Sequence, residues 1–89
     1  MEKNWYLYIL RCGDGSLYTG ITTDVQRRFE AHASGKGAKY TRGRAPLTLL
    51  YSEFCGTHSE ALKREIQVKS LPRGEKERLI SQPISRKTS

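Results

Sequence analysis

At 89 residues the chain has room for one domain, and 16 Lys and Arg against 9 Asp and Glu leave a formal charge of +7. So basic a surface on so small a body suits a polyanion, either nucleic acid or an acidic membrane face. No run approaches the ~18 apolar residues of a membrane span, Met1–Leu10 lacks the apolar centre of a secretory signal, and Cys12 and Cys55 are too few for a disulfide framework, which together point to a reduced, cytoplasmic protein.

Trp5–Arg11 is an apolar and aromatic run with strand propensity. Cys12-Gly-Asp-Gly-Ser16 follows as a hairpin turn, and Leu17–Ile21 as the return strand. Alternation places Tyr6 and Tyr8 on one face, Trp5, Leu7 and Ile9 on the other, and Tyr18 on the same face as Gly20. Thr22-Thr-Asp24 supplies capping oxygens, and Thr23 with Gln26 fits a capping box. A helix is therefore expected from about Asp24 to Ala33, burying Val25, Phe29 and Ala33, with Gly35 and Gly37 ending it.

Residues 31 to 52 contain no acid, and Lys36, Lys39, Arg42 and Arg44 stand there among glycines with Tyr40. This predicts a mobile basic loop suited to phosphate backbone. After Pro46, Leu47–Phe54 reads as a third strand. Thr57 and Glu60 form a capping box for a helix over His58 to Ser70, which Pro72 breaks, and Gly74–Ser81 forms a shorter one. The expected division is one domain over 1–81 and a disordered polar tail over 82–89.

Several positions carry chemical interest. On the second helix Leu62 and Ile66 mark the apolar stripe, Ala61 and Val68 widen it, and Glu65 falls inside the arc. A carboxylate aimed at a core face needs a partner or a metal. The plain alternative is an ion pair with Lys69, four residues on. Arg28 and His32 stand one turn apart at the edge of the first helix's stripe, where a guanidinium suits a phosphate and an imidazole can move a proton. Tyr6, Tyr8 and Tyr18 cluster if the hairpin registers as drawn, either as cross-strand packing or as a site. Gly20, two residues after Tyr18, leaves that hydroxyl unobstructed. Gly35-Lys36-Gly37 lacks the spacing of a P-loop, and Cys55-x-x-His58 finds no completing zinc ligands.

Taken in order, these positions resemble the GIY-YIG nuclease superfamily over residues 4 to 80, and more narrowly its small stand-alone bacterial members. Tyr6-Leu7-Tyr8 stands at the first motif, without its glycine and isoleucine, and Tyr18-Thr19-Gly20 at the second. The run Tyr18 to Arg28, His32 one turn later, and Ala61-Leu-Lys-Arg-Glu65 followed by Lys69 match the rest. The resemblance implies an α+β fold, a three-stranded antiparallel sheet flanked by about three helices in the order β-β-α-β-α-α. It also implies a divalent-metal-dependent endonuclease acting on DNA, in repair or recombination.

On that resemblance Glu65 would hold one Mg²⁺ or Mn²⁺, Arg28 would clamp the scissile phosphate, and Tyr18 would assist the attacking water with Tyr8 orienting it. His32 is an alternative proton acceptor. Either Tyr6 or Tyr8 could serve the first motif, and the neighbours favour Tyr8. Gly20, Lys36, Lys39, Arg42, Arg44 and Lys69 would lie against nucleic acid. No targeting domain accompanies the motifs, so a protein partner could supply targeting. The competing classes are a non-catalytic nucleic-acid-binding module on the same scaffold and an RNA-associated basic adaptor, neither of which needs Glu65.

Overall fold

A computed structural model describes residues 4–81, so the expected tail over 82–89 lies outside the described residues. The elements follow the expected order: β1 (Trp5–Arg11), β2 (Leu17–Thr22), α1 (Val25–Ala33), a single 3₁₀ turn (Lys39–Thr41), β3 (Thr48–Gly56), α2 (His58–Lys69) and α3 (Arg73–Ile80). The strands form one antiparallel sheet in the order β2-β1-β3. β1 is therefore the middle strand and the most enclosed, with Leu7, Tyr8, Ile9 and Leu10 all buried.

Strand alternation divides the sheet into two working faces. Leu7 and Ile9 point to one side and form the core with Val68 of α2. Leu17, Ile21, Tyr51, Cys55, Leu79 and Ile80 pack around them. On the other side Tyr8 stands in a row with Gly20 of β2 and Ser52 of β3, and α1 covers this face through His32. On the core face a buttress of charge joins β3 to α2: Arg64 Nε and Nη2 donate to Glu53 at 2.6 and 3.1 Å, and the Tyr51 hydroxyl donates to the same carboxylate at 2.5 Å.

Three local expectations are corrected. The N-cap of α1 is Asp24, whose carboxylate accepts from the Arg27 amide at 3.1 Å, and no Thr23–Gln26 capping box forms. Gln26 instead donates to Glu30 one turn ahead, because Thr22 and Asp24 close a tight turn in which the Asp24 amide donates to Thr22 Oγ1. Secondly, Ala33 is exposed, and the buried residue of α1 is His32. Thirdly, α2 turns Ala61 and Val68 inward at 0% exposure, leaving Leu62 and Ile66 at 39% and 69%. The small side chain of Ala61 lets the helix backbone settle close to the sheet, and that choice rolls the larger residues outward. The second capping box forms as expected, with Thr57 and Glu60 bonded reciprocally.

The basic loop is folded against the hairpin. The Gly13 amide donates to the Arg44 carbonyl, Arg44 Nη1 meets the Asp14 carboxylate at 2.5 Å, and Arg44 Nε donates to the Tyr40 carbonyl at 2.6 Å. Thr41 within the loop is 2% exposed. A segment bonded in this way has a fixed path.

Candidate functional site

Tyr8 is the centre of the site. Its side chain is 1% exposed, and its hydroxyl lies 2.8 Å from His32 Nε2. Burial pushes the phenol up to about 12; the Arg28 guanidinium beside it opposes that rise and the Tyr18 phenol adds to it. Gly20 makes the arrangement possible, since a Cβ there would stand 2.6 Å from the Tyr8 hydroxyl and 3.1 Å from the Tyr18 ring. The space that the sequence suggested for a ligand is thus filled by Tyr8.

Tyr18, half-buried, lies on the same face. Its ring centroid is 6.3 Å from that of Tyr8 and 5.2 Å from that of His32, edge-on. Tyr40 stacks on it at 5.9 Å and 28°, and the Arg44 guanidinium lies 4.4 Å over the Tyr40 ring. Tyr6, the other tyrosine of the first motif, packs edge-on against Phe54 of β3 instead, at 5.7 Å. Of the two, Tyr8 is the one in the cluster.

His32 is 1% exposed. Its Nδ1 lies 2.9 Å from Thr41 Oγ1 and receives the Ala38 amide at 3.3 Å. Burial, followed by the charge of Arg28, holds its pKa below the ordinary histidine value, which favours the neutral ring. Gly37 packs against the same ring, and a Cβ at that position would collide with Nδ1. Neither Thr41 nor Gly37 stood out in the sequence as part of a site. The one signal was a surplus glycine: Gly35, at φ +84°, already turns the chain out of α1, leaving Gly37 without a turn to make.

Arg28 sits one helical turn before His32, half-buried and without an ion pair among the described residues. With Arg27 and the Thr22–Asp24 turn it lines a shallow cavity of about 290 Å³. Tyr8, Tyr18, Arg28 and His32 therefore converge. Glu65 makes no direct contact of this kind with them. Its side chain is 19% exposed, Oε2 lies 3.2 Å from Lys69 Nζ, and it shares no hydrogen bond or ion pair with the other four. Oε1 makes no hydrogen bond among the described residues. Among those residues no three His, Cys, Asp or Glu side chains stand together as a ready-made metal cage.

Lys36, Lys39 and Arg42 are exposed and make no ion pair with the described residues. Arg44 differs, being held by Asp14, whose carboxyl is lowered to about 2 by its hydrogen bonds from Ser16 and then by Arg44. Lys69 is likewise engaged, by Glu65. Both cysteines are free thiols, and burial pushes the Cys55 thiol up, away from reactivity. No helix of the described residues is long and apolar enough to cross a membrane.

Residues 4–78 match the GIY-YIG catalytic domain. The UPF0213 protein YhbQ of Escherichia coli is 54% identical over 78 residues, covering 88% of this chain and 78% of the relative. The solution NMR structure of the UPF0213 protein BH0048 of Bacillus halodurans is 56% identical, with a TM-score of 0.57 over 88% of this chain and 83% of that one. That of protein EF2693 of E. faecalis is 45% identical, with a TM-score of 0.61 over 90% and 88%.

Proposed function

We propose, starting from the fact that this chain belongs to the GIY-YIG family, that it is a metal-dependent endonuclease hydrolysing phosphodiester bonds in DNA, in repair or recombination. The observation that carries the reading is the convergence of a surface-reaching phenol, Tyr18, with a half-buried guanidinium that has no carboxylate partner among the described residues, Arg28. An unpaired guanidinium beside a cavity suits a phosphate, and it stabilises the charge that grows on the equatorial oxygens more than it stabilises the ground state.

Tyr18 accepts a hydrogen bond from the attacking water. His32 is too deeply buried to meet that water, so its part is played behind Tyr8. Lys36, Lys39 and Arg42 hold flanking phosphates without reading bases. Glu65 fits a single hard cation: it offers a mostly buried carboxylate with one oxygen unbonded among the described residues, on a helix that packs against all three strands of the sheet. One Mg²⁺ or Mn²⁺ held there supplies charge neutralisation at the leaving oxygen.

A second reading, a nucleic-acid-binding module that does not cut, draws support from one observation. Lys69 already neutralises Glu65, and Glu65 has no polar contact with the tyrosine and arginine cluster. Nicking of supercoiled, single-stranded and branched DNA, with Mg²⁺ or with EDTA, decides between them. The endonuclease reading expects metal-dependent product from the native chain and none from Glu65→Gln or Arg28→Ala. Binding that ignores EDTA, with no product from any substrate, overturns it in favour of the module.

A further inference from the structure

We infer that Thr41 and the Ala38 amide are positioning groups that fix His32 as the Nε2–H tautomer, so that the ring donates to Tyr8 and the Tyr8 hydroxyl is turned toward Tyr18. The consequence for cutting rests on the endonuclease reading above; the tautomer belongs to the folded chain and can be tested without it.

The argument is a count of hydrogens. The Ala38 amide is an obligatory donor whose hydrogen direction is fixed by the backbone, and it points at His32 Nδ1, 3.3 Å away. Nδ1 must then be bare. Thr41 Oγ1 lies 2.9 Å from Nδ1 and 2.9 Å from the Ala38 carbonyl, so its single hydrogen could serve either. That carbonyl already accepts from the Thr41 amide at 3.1 Å, whereas two lone pairs facing each other across 2.9 Å would repel. The hydroxyl therefore turns its hydrogen to Nδ1, sharing the single lone pair of that nitrogen with the Ala38 amide in a three-centre arrangement. A neutral imidazole carries one N–H, which leaves it on Nε2, 2.8 Å from the Tyr8 oxygen.

The opposite tautomer fails the same count. With a proton on Nδ1 the Ala38 amide loses its acceptor, and Thr41 must accept where it now donates. Burial narrows the escape route: His32 and Thr41 are 1% and 2% exposed, and the part-buried Ala38 amide, turned toward the ring, would have to find a new acceptor. Gly37 keeps the loop close enough for both donors to reach the ring.

Direction follows from the tautomer. Tyr8 accepts from Nε2–H, so its own hydrogen is free to turn toward the Tyr18 phenol, whose ring centroid lies 6.3 Å from its own. Donors then run outward, from the loop to His32, to Tyr8, to the Tyr18 oxygen. A hydrogen bond arriving at that oxygen stabilises negative charge on it as it draws a proton from water. His32 in this arrangement is a donor and not the proton acceptor.

Ring ¹⁵N resonances in the ¹⁵N-labelled full chain at mildly alkaline pH test this, with His58→Gln used to assign the two histidines. The expected wild-type pattern is a protonated, pyrrole-type Nε2 and a bare, pyridine-type Nδ1. Thr41→Val should move the Nδ1 resonance further toward the unbonded value, and Thr41→Ser should leave it in place. A proton found on Nδ1 in the wild type overturns the inference without any variant, and an Nδ1 resonance indifferent to Thr41→Val removes Thr41 from it. In the nicking assay Thr41→Val should lower kcat at least about tenfold, with KM unchanged and Ser restoring it. The expected ring pattern in a chain that cuts nothing would sink the endonuclease reading and leave this one standing.

Discussion

Asp14, in the turn of the first hairpin, holds the guanidinium of Arg44 thirty positions further along the chain. A cation expected to serve nucleic acid is therefore also a tether, fastening the basic loop to the sheet. Arg44→Ala should lower the melting temperature, whereas Lys39→Ala should not, because Lys39 is exposed and without an ion pair among the described residues. Equal melting temperatures for the two variants would refute the tether.

Gly20→Ala places a methyl group against the Tyr8 hydroxyl, and neither neighbour can retreat, since Tyr8 is wedged in the middle strand. Overpacking of this kind costs about 1–3 kcal/mol. Urea denaturation should show a loss in that range with an unchanged m-value. A neutral substitution would mean that the phenol has another place to go.

Lys36, Lys39 and Arg42 act as point charges if the loop tracks a phosphate backbone. Replacing all three by alanine should weaken binding to every DNA sequence alike and flatten the salt dependence by about 0.9 in log–log slope for each cation that meets a phosphate. The check is fluorescence anisotropy over a salt series. A sequence-dependent loss with the slope preserved would assign the loop to base contacts instead.

His32 gives stability a pH dependence. Its folded pKa is depressed by burial and by Arg28, so in mild acid the unfolded chain takes up a proton that the folded chain refuses. The contribution is complete above the ordinary histidine value of ~6.5 and is lost as pH falls from there through the lowered folded value. Tyr8 also faces the ring but stays neutral throughout that window, and Asp14 titrates far below it. The urea midpoint should fall between pH 7.5 and pH 5, with a smaller fall in His32→Asn. Parallel pH profiles for the two chains would count against a neutral buried ring.

Much of the fold was legible because its signals are local. Alternation around Tyr8, the glycines of the first turn, and the Thr57–Glu60 box each need only a few neighbouring residues to act. Rotation of a helix about its axis is different. The apolar residues of α2 cover a broad arc, and whether Leu62 or Ala61 faces inward depends on how closely the sheet approaches, which no window of sequence contains. Tyr8, Tyr18, Arg28 and His32 could be chosen from the motif spacing, and the fold does gather them. Thr41 could not, because its meeting with His32, nine positions earlier, depends on the path of the chain between them. Glu65 shows the opposite limit: the ion pair with Lys69 follows from helical spacing alone, and the spacing is silent about the helix's distance from Tyr18.

The strand at the middle of the sheet is also the first to be synthesised. While the ribosome is still adding the loop, β1 has only β2 beside it, and its second edge waits for residues 48–56. A nascent chain stalled before that point would display Leu7 and Ile9 along an unpaired backbone, the kind of edge that recruits other chains. Truncations ending before β3 should therefore collect as insoluble material, whatever becomes of the chemistry.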